Sequence, residues 1–189
     1  MDAWEVDSFQ IDDEVMLRRF RKDDVADVFR TVHRNSEHLI EFMHWMSPDY
    51  SLESAREFIE GATKTVSKSG SLGFGIFRSQ QLIGSIGFVY FDELAEKTEI
   101  GYWIDREEQG KGIVSKACRK LIDWAFEDLN LNRIEIRCSS LNKRSSAIPE
   151  RFGFKLEGHL RESEYRNGKL HDFLIFGLLR SEWRSRDRA

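Results

Sequence analysis

Two glycines that stand one residue apart, directly before a segment of helical periodicity, are the first feature of this sequence that suggests a chemical role. Gly110 and Gly112 lie in the stretch REEQGKGIVSKACRKL, residues 106–121, and apolar residues recur every three to four positions after them. Glycine permits a tight turn and leaves the backbone uncovered by side chains. A turn that leads into a helix exposes backbone N–H groups at the positive end of the helix dipole, where anions bind. The stretch therefore predicts a helix over 112–128 with an anion site at its start.

Two common nucleotide-binding loops do not match this stretch. A P-loop requires GxxxxGK[ST], whereas Lys111 lies between the glycines and no GK[ST] follows. A dinucleotide fingerprint requires GxGxxG, and Ser115 occupies the place of the third glycine. Taken alone, the two glycines are equally compatible with a structural turn that binds nothing.

The composition narrows the classes of protein to which the chain can belong. A length of 189 residues suffices for one well-buried core, and 33% charged residues with only two prolines indicate an ordered globular chain. The net charge of −4 argues against a nucleic-acid partner, and no apolar run is long enough to span a membrane. The start, MDAWEVDSFQIDDEV, lacks the basic and apolar regions of a signal peptide. We therefore expect a cytoplasmic protein that binds neither nucleic acid nor membrane.

The cysteines and histidines do not suggest a metal site. Cys118 and Cys138 stand alone, without CxxC spacing, and are most simply reduced thiols. The five histidines form no cluster with ligand spacing. We expect no metal, and we assign neither cysteine a nucleophilic role.

The pattern of apolar and turn-forming residues predicts an α+β fold in a single domain, residues 1–189. Strands are predicted over 14–20, 71–78, 81–91, 97–105 and 131–140, and on both sides of the pair Asn167-Gly168. Helices are predicted over 23–35, 51–68 and 112–128, with a short helix or turn over 36–46 and a short helix after Asn142. This order predicts a mostly antiparallel sheet with one parallel pair of strands flanking the helix over 112–128.

The surroundings of the glycine turn resemble the acetyl-CoA loop of the GNAT N-acetyltransferases. The family pattern is Gln/Arg-x-x-Gly-x-Gly/Ala, which Gln109 and Gly112 match, whereas Val114 stands where a small residue is usual. The later segment NKRSSAIPERFGFKLEGHLRESEYRNGKLHD resembles the C-terminal half of the ribosomal-protein serine and alanine N-terminal acetyltransferases. The resemblance covers about residues 14–180. It implies a GNAT fold, with a mixed, mostly antiparallel central sheet flanked by helices.

The resemblance also implies acetyl-CoA as the co-substrate. Backbone N–H groups at the glycine turn would hold its pyrophosphate, which involves Gln109, Gly110, Lys111, Gly112, Ile113 and Val114. The backbone around Trp103 and Ile104, in the strand EIGYWID, matches the strand that pairs with the pantetheine arm and offers an N–H to the oxyanion. Asn142, in the N-x-x-S motif, belongs to the same implied set.

Two side chains match catalytic groups of the family. Glu164 corresponds to the glutamate thought to take the proton of the amine through water, and Ser145 to the hydroxyl that assists departure of the thiolate. Both also have a plain structural interpretation: Glu164 as a solvated carboxylate of a strand, and Asn142 and Ser145 as residues that begin a helix. Direct attack of the amine on the thioester needs no covalent intermediate on the enzyme.

A further residue is suggested by the hairpin pattern itself. If Asn167-Gly168 forms a two-residue turn, Arg166 pairs with Lys169 and Glu164 pairs with His171. Directly opposite side chains on one face of a hairpin can touch, so His171 is a possible acid/base partner of Glu164. An ordinary cross-strand pair is the alternative.

The sequence leaves the acceptor open. A protein N-terminus is the preferred acceptor, because an α-amine has a reference pKa of about 7.7–8.0 and is partly neutral at pH 7. A small amine such as a polyamine or an aminoglycoside is the alternative, and a non-catalytic CoA-binding regulatory module is a third possibility. The segment LIEFMHWM, residues 39–46, is either buried or forms an acceptor pocket or the contact of a homodimer.

Overall fold

The fold positions the glycine turn at the centre of a sheet. The computed structural model of the protein describes residues 4–63 and 70–186. Its strands are β1 (Ser8–Gln10), β2 (Val15–Arg19), β3 (Leu72–Arg78), β4 (Gln81–Asp92), β5 (Lys97–Ile104), β6 (Arg133–Ser139), β7 (Lys155–Arg166) and β8 (Lys169–Leu179). Its helices are α1 (Val25–Arg34), α2 (Ser36–Leu39), α3 (Leu52–Thr63), α4 (Ile113–Glu127), α5 (Lys143–Arg151) and α6 (Arg180–Arg186).

The strands form one mixed sheet in the order β1-β2-β3-β4-β5-β6-β8-β7. Neighbouring strands are antiparallel except β5 and β6, which run parallel. The connection between these two strands is α4, as a parallel pair requires a crossover. The predicted α+β class, and the parallel pair that flanks the glycine-turn helix, are therefore confirmed.

The parallel pair separates almost at once. β5 and β6 are in register only from Lys97 with Arg133 to Glu99 with Glu135. Beyond that point β5 remains paired with β4 as far as Ile104, and β6 remains paired with β8 as far as Ser139. The carboxyl-terminal halves of β5 and β6 consequently diverge and leave a gap in the middle of the sheet.

Each face of the sheet has its own part of the core. One face packs against α4, whose apolar residues recur at helical spacing and are almost completely buried. They are Ala117, Cys118, Leu121, Ile122 and Ala125. The other face packs against α1 and α3 through a smaller cluster, which includes Val28, Val32, Ile59, Phe77, Leu82 and Trp103. This second cluster places Trp103 of β5 on the face opposite to α4.

Two elements were not predicted from the sequence, β1 and α6. β1 has only three residues, and α6 has the sequence RSEWRSR, in which Trp183 is the one apolar residue. Trp183 is buried, because its ring lies against Phe152 and under the Arg119 guanidinium. The helix predicted over 51–68 corresponds to α3, and residues 64–68 lie outside the described residues.

Two further properties concern the described ranges, 4–63 and 70–186. Within them, no helix combines the length and the apolar character needed to cross a bilayer. In the same ranges, no three histidine, cysteine, aspartate or glutamate side chains are placed so as to hold a metal ion.

Candidate active site

The glycine turn has the backbone geometry that its sequence predicts. Gly110 and Gly112 both have positive φ, +77° and +76°, a region that favours glycine. Gly112 is the residue at which α4 begins. In the part of the chain that the structure describes, the N–H groups of residues 110–115 donate to no backbone or side-chain acceptor. The turn thus presents a row of free donors at the N-terminus of a 15-residue helix.

The start of this loop is fixed to α1 by a buried carboxylate. Asp105 is 3% exposed, accepts a hydrogen bond from the Glu107 N–H at 3.1 Å and forms an ion pair with Arg34. The Arg106 N–H donates to Asn35 Oδ1 at 2.9 Å. Burial acts to raise the pKa of Asp105, but the hydrogen bonds that its carboxylate accepts from Glu107, Arg34 and Asn35 outweigh burial and hold the pKa below its ordinary value. Asp105 is therefore ionised at neutral pH and stiffens the loop.

Two polar side chains of the loop are paired with neighbouring residues. The Gln109 amide contacts the His38 ring and accepts a hydrogen bond from Arg144, so it links α2 to α5. Lys111 is exposed and forms an ion pair with Glu108 at 3.0 Å. The free donors that this loop offers are accordingly chiefly backbone N–H groups.

The two residues that follow Gly112 lie in the core. Ile113 is 5% exposed and Val114 is 9% exposed, and both belong to the cluster beneath α4. Val114 fits here despite its size because its side chain points into the core, while its N–H remains on the loop side. Both residues can contribute only their backbone to a ligand.

The last residues of β5 present backbone groups to the gap. The Asp105 N–H donates to Ile83 O at 2.7 Å, and Trp103 is directly opposite Ser85. In an antiparallel pair the hydrogen-bonding direction alternates along the strand. Trp103 therefore directs its N–H and C=O toward β4, and Ile104 directs its own toward the gap. Of the two residues predicted from the sequence, Ile104 has the N–H that is available to a ligand in the gap.

Ser145 lies at the start of α5 and has a second hydroxyl beside it. Asn142 is the N-cap of α5, because its side chain accepts a hydrogen bond from the Ser145 N–H at 3.0 Å. The Ser145 hydroxyl lies 3.1 Å from the Tyr102 hydroxyl. Burial raises the pKa of Tyr102 well above its ordinary value, so this hydroxyl stays protonated. Tyr102 was not predicted from the sequence as a site residue, because an aromatic residue in a strand is ordinarily a core residue.

The two cysteines are buried thiols. Cys138 is 6% exposed, and burial raises its pKa to about 11, while a hydrogen bond with Ser145 opposes that shift. Burial also raises the pKa of Cys118, which lies in the core beneath α4. Neither thiol ionises near neutral pH, which agrees with the expectation that neither is a nucleophile.

The hairpin of β7 and β8 has the predicted turn and register. Asn167 and Gly168 both have positive φ, +48° and +77°, as a two-residue type I′ turn requires. Glu164 is directly opposite His171, which confirms the predicted pairing. The Glu164 carboxylate, however, accepts its hydrogen bond from Arg166 Nε, at 2.7 Å. Within the described residues no ion pair joins it to His171, so the role of His171 in proton transfer stays a prediction.

Arg166 also connects the hairpin to the segment 39–46. Its guanidinium donates to the backbone carbonyl of Glu41, and the Asn167 amide donates to Ile40 O at 3.1 Å. In the same segment Trp45 lies 6.3 Å from Trp103, centroid to centroid. The segment thus spans the distance between the tip of the hairpin and the end of β5.

A group of charges that sequence analysis missed lies on the same face of the sheet as Trp103. Glu99 and Glu135 are adjacent across the parallel pair, and Arg137 contacts them at 3.3 and 2.8 Å. Burial raises the pKa of Glu99. Burial acts in the same sense on Glu135, but hydrogen bonds from Arg137 and Arg133 hold the pKa of Glu135 below its ordinary value. Only the register of β5 with β6 shows that these carboxylates are adjacent.

The geometry described so far comprises a divergent parallel pair, a glycine turn at the start of a central helix, and a hairpin that carries a carboxylate. A model of the acetyltransferase (GNAT) domain matches residues 14–155. The chain therefore belongs to the GNAT acetyltransferase family. Both the resemblance and the GNAT fold predicted from the sequence are confirmed.

Individual relatives span nearly the whole chain. YdaF of Bacillus subtilis (strain 168) is 34% identical over 175 residues, which is 92% of this chain and 96% of YdaF. The spermidine N(1)-acetyltransferase of Vibrio cholerae is 26% identical and covers 92% of this chain and 97% of its own. The structure of a ribosomal L7/L12 alpha-N-protein acetyltransferase in complex with coenzyme A is 25% identical, with a TM-score of 0.86, and covers 91% and 97% of the two chains.

Proposed function

We propose that the protein transfers the acetyl group of acetyl-CoA to the N-terminal α-amine of a protein, such as a ribosomal protein. The observation that carries the proposal is the juxtaposition of a loop of free N–H donors with a hairpin that presents Glu164 on the other side of the sheet gap. Similarity to a ribosomal-protein N-terminal acetyltransferase supports the same acceptor class.

Acetyl-CoA would be bound mainly through the protein backbone. The N–H groups of residues 110–114 and the dipole of α4 suit a pyrophosphate, with Gln109 and Lys111 at its edge. The free edge of β5 at Ile104 suits the amides of the pantetheine arm and supplies an N–H to the oxyanion. Asn142 contributes indirectly, because it caps α5 and so positions Ser145.

The reaction needs few groups beyond this binding surface. Glu164 accepts a proton from the ammonium form of the acceptor through a water molecule, and the neutral amine attacks the thioester carbon. A C–N bond forms, the C–S bond breaks, and its electron pair leaves on sulfur as the CoA thiolate. The attacking nitrogen also loses its second proton, which ends on that sulfur and gives a neutral amide and the CoA thiol. The Ser145 hydroxyl donates a hydrogen bond to that thiolate, and the N-terminus of α5 favours its negative charge. No group of the enzyme becomes acetylated.

A second acceptor class has an observation of its own in its favour. Glu99 and Glu135 place carboxylates on the face of the sheet that carries Trp103 and Glu164, and carboxylates attract a polyamine. The similarity to a spermidine acetyltransferase points the same way. Arg137 neutralises part of this charge, which makes the polyamine the weaker candidate.

A direct assay separates these possibilities. The purified protein is incubated with acetyl-CoA and one of four acceptors: peptides that begin with serine or with alanine, an N-blocked lysine peptide, or spermidine. We expect CoA release with the first two and a mass increase confined to their α-amine. Faster turnover of spermidine would favour the second class. Tight CoA binding without turnover of any of the four would contradict enzymatic function and favour a CoA-binding module.

A further inference from the structure

Two buried N–H donors near the sheet gap have no hydrogen-bond acceptor among the residues that the structure describes. They are Trp103 Nε1 and Arg166 Nη2, and each residue is 6% exposed. A buried donor without an acceptor costs free energy, and nearly all such donors in folded proteins are paired. The other nitrogens of the same guanidinium are satisfied, by Glu164 at 2.7 Å and by the carbonyl of Glu41. The Arg166 guanidinium is therefore held in place by hydrogen bonds from its other nitrogens, although Nη2 is unpaired.

The register of the strands places both donors on one face of the sheet. Trp103 lies four residues after Glu99 on β5, and Glu99 is adjacent to Glu135 of β6. Glu135 is opposite Gly177 of β8. His171 lies six residues before Gly177 on the same strand and is opposite Glu164 of β7. Because side chains alternate along a strand, Trp103, Glu164 and Arg166 share this face.

Both residues that carry these donors also lie beside the segment 39–46. The Trp103 ring lies 6.3 Å from the Trp45 ring, centroid to centroid, and Nη1 of Arg166 donates to the carbonyl of Glu41. The groups around this segment thus include two unpaired N–H donors and the Glu164 carboxylate, one oxygen of which accepts from Arg166 Nε. Such a set can bind an ammonium group on the carboxylate and an oxygen acceptor on the donors.

We propose that Trp103 Nε1 and Arg166 Nη2 bind the backbone carbonyl oxygens of the acceptor that follow its α-amine. The inference rests on the proposed acetyl transfer and specifies its acceptor as a peptide or amino-acid amide. In such a molecule the first carbonyl carbon is two bonds from the reacting nitrogen. An amine held by Glu164 therefore brings that oxygen next to the guanidinium that fixes Glu164. A polyamine offers no oxygen acceptor, and its additional positive charges are repelled by Arg166.

The experiment compares two acceptors in wild type and variants. One is a tetrapeptide with a free N-terminal serine, and the other is the same molecule with a trans-alkene in place of its first amide, which removes the carbonyl oxygen without adding a charge. Trp103→Phe keeps an aromatic ring and removes the N–H, and we expect it to lower kcat/KM for the peptide about 5- to 10-fold. For the alkene analogue we expect less than a twofold change. Arg166→Met should lower kcat/KM for both acceptors, because Glu164 is displaced. It should lower kcat/KM for the peptide further, because the donor to the carbonyl oxygen is also lost.

Two matched variants serve as controls. Trp183→Phe also removes the N–H of a buried tryptophan, but that N–H donates to Asp123 at 2.8 Å, far along the chain from the gap. Lys169→Met removes an exposed cation from the same hairpin. Neither should change the ratio of kcat/KM between the two acceptors. The dissociation constant of acetyl-CoA, measured by calorimetry for every variant, verifies that the fold is intact, and Arg166→Lys replaces Arg166→Met if the latter does not fold.

Equal losses on peptide and analogue in Trp103→Phe and in the arginine variant would overturn the inference and leave acetyl transfer standing. Absence of turnover with every amine in the wild type would instead contradict the proposed function. A loss confined to the carbonyl-containing acceptor supports the assignment of the two donors.

Discussion

The two sides of the cleft are made of different groups. The side proposed to bind CoA is built from backbone: free N–H groups at Gly110 and Gly112, the dipole of α4 and the edge of β5 at Ile104. The side proposed to bind the acceptor is built from side chains of the β7–β8 hairpin and from the segment 39–46, which Arg166 holds together. A backbone site depends on local conformation and tolerates many substitutions, whereas a side-chain site depends on a few contacts between distant parts of the chain.

The largest effect is expected on the acceptor side. Glu164→Gln removes the proposed base and should lower kcat by about 10²–10⁴ while leaving the dissociation constant of acetyl-CoA unchanged. The loss should shrink as pH rises, because more of the α-amine is then already neutral. Glu99→Gln is the matched control, since it is the same change on the same face of the sheet, and we expect it to cost less than tenfold. A Glu164→Gln enzyme with wild-type kcat at pH 7 would show that this carboxylate is not the base.

The second largest effect is expected for Asp105, which ties the start of the glycine loop to α1. Asp105→Asn removes the buried carboxylate that ties the loop to α1 and should lower the free energy of unfolding by about 2 kcal/mol. The pKa of Asp105 is lowered in the folded protein, so its stabilisation is complete above the ordinary aspartate pKa of about 4 and is lost as pH falls through the folded value. Denaturant melts of both proteins at a series of pH values should therefore show a difference at pH 7 that narrows as pH falls below about 4. A difference that stays constant over this range would contradict this account.

A variant of Ser145 tests whether the side proposed to bind CoA contains any catalytic side chain. Ser145→Ala should lower kcat about 20-fold, because a hydrogen bond to the departing thiolate is lost. Tyr102→Phe removes only the neighbouring hydroxyl and should have a smaller effect, since it acts through Ser145. Single-turnover kinetics of CoA release measure the step directly. If Tyr102→Phe were the more damaging variant, the tyrosine rather than the serine would be the donor to sulfur.

A pair of glycine variants separates the two sides most cleanly. Gly112 and Gly168 have nearly equal positive φ, and a Cβ would meet no atom at either position. Valine is strained there, by about 1–2 kcal/mol. Gly112→Val should therefore weaken acetyl-CoA binding about tenfold by turning the N–H donors, whereas Gly168→Val should leave CoA affinity unchanged. Titration calorimetry provides the test, and equal CoA affinity in the two variants would argue against an anion site at the turn.

The smallest effect is expected for His171. Because Glu164 is paired with Arg166, His171→Gln should change kcat/KM less than twofold at pH 8 and move the acidic limb of the pH–rate profile only slightly. A shift of the limb by a full pH unit would instead assign His171 the proton-relay role that its register permits.

The parts of the molecule that the sequence predicted are those with local causes. The positive φ values at Gly110 and Gly112, and the turn at Asn167-Gly168, follow from residue types that occupy this region at low cost, so the turn and the register of the hairpin were predicted correctly. The spacing of apolar residues over 112–128 likewise predicted α4, and the predicted bounds differ from the observed ones by one residue at each end.

The parts that escaped prediction depend on contacts between distant segments. Arg166 is separated from Glu41 by 125 residues, and no periodicity indicates that the two meet. The proximity of Tyr102 to Ser145 appears only when β5 and β6 diverge. α6 is anchored by one buried residue, Trp183, too few for a recognisable apolar period.

The three-residue ladder between β5 and β6 has a mechanical consequence. The sheet consists of two leaves, β1 to β5 and β6 to β8. Among the described residues, the ladder that joins the leaves covers only 97–99 and 133–135, and the N–H groups of Asn132 and Arg133 extend it by donating to Glu96 O. The leaves are otherwise joined by the packing of α4 and by side-chain contacts such as those of Arg137 with Glu99 and of Tyr102 with Ser145, so the stiffness of this connection comes largely from side chains and not from a continuous ladder. A ligand whose amides bridge the gap acts as a missing strand and couples the leaves into one cooperative unit, which slows amide hydrogen exchange in both leaves at once.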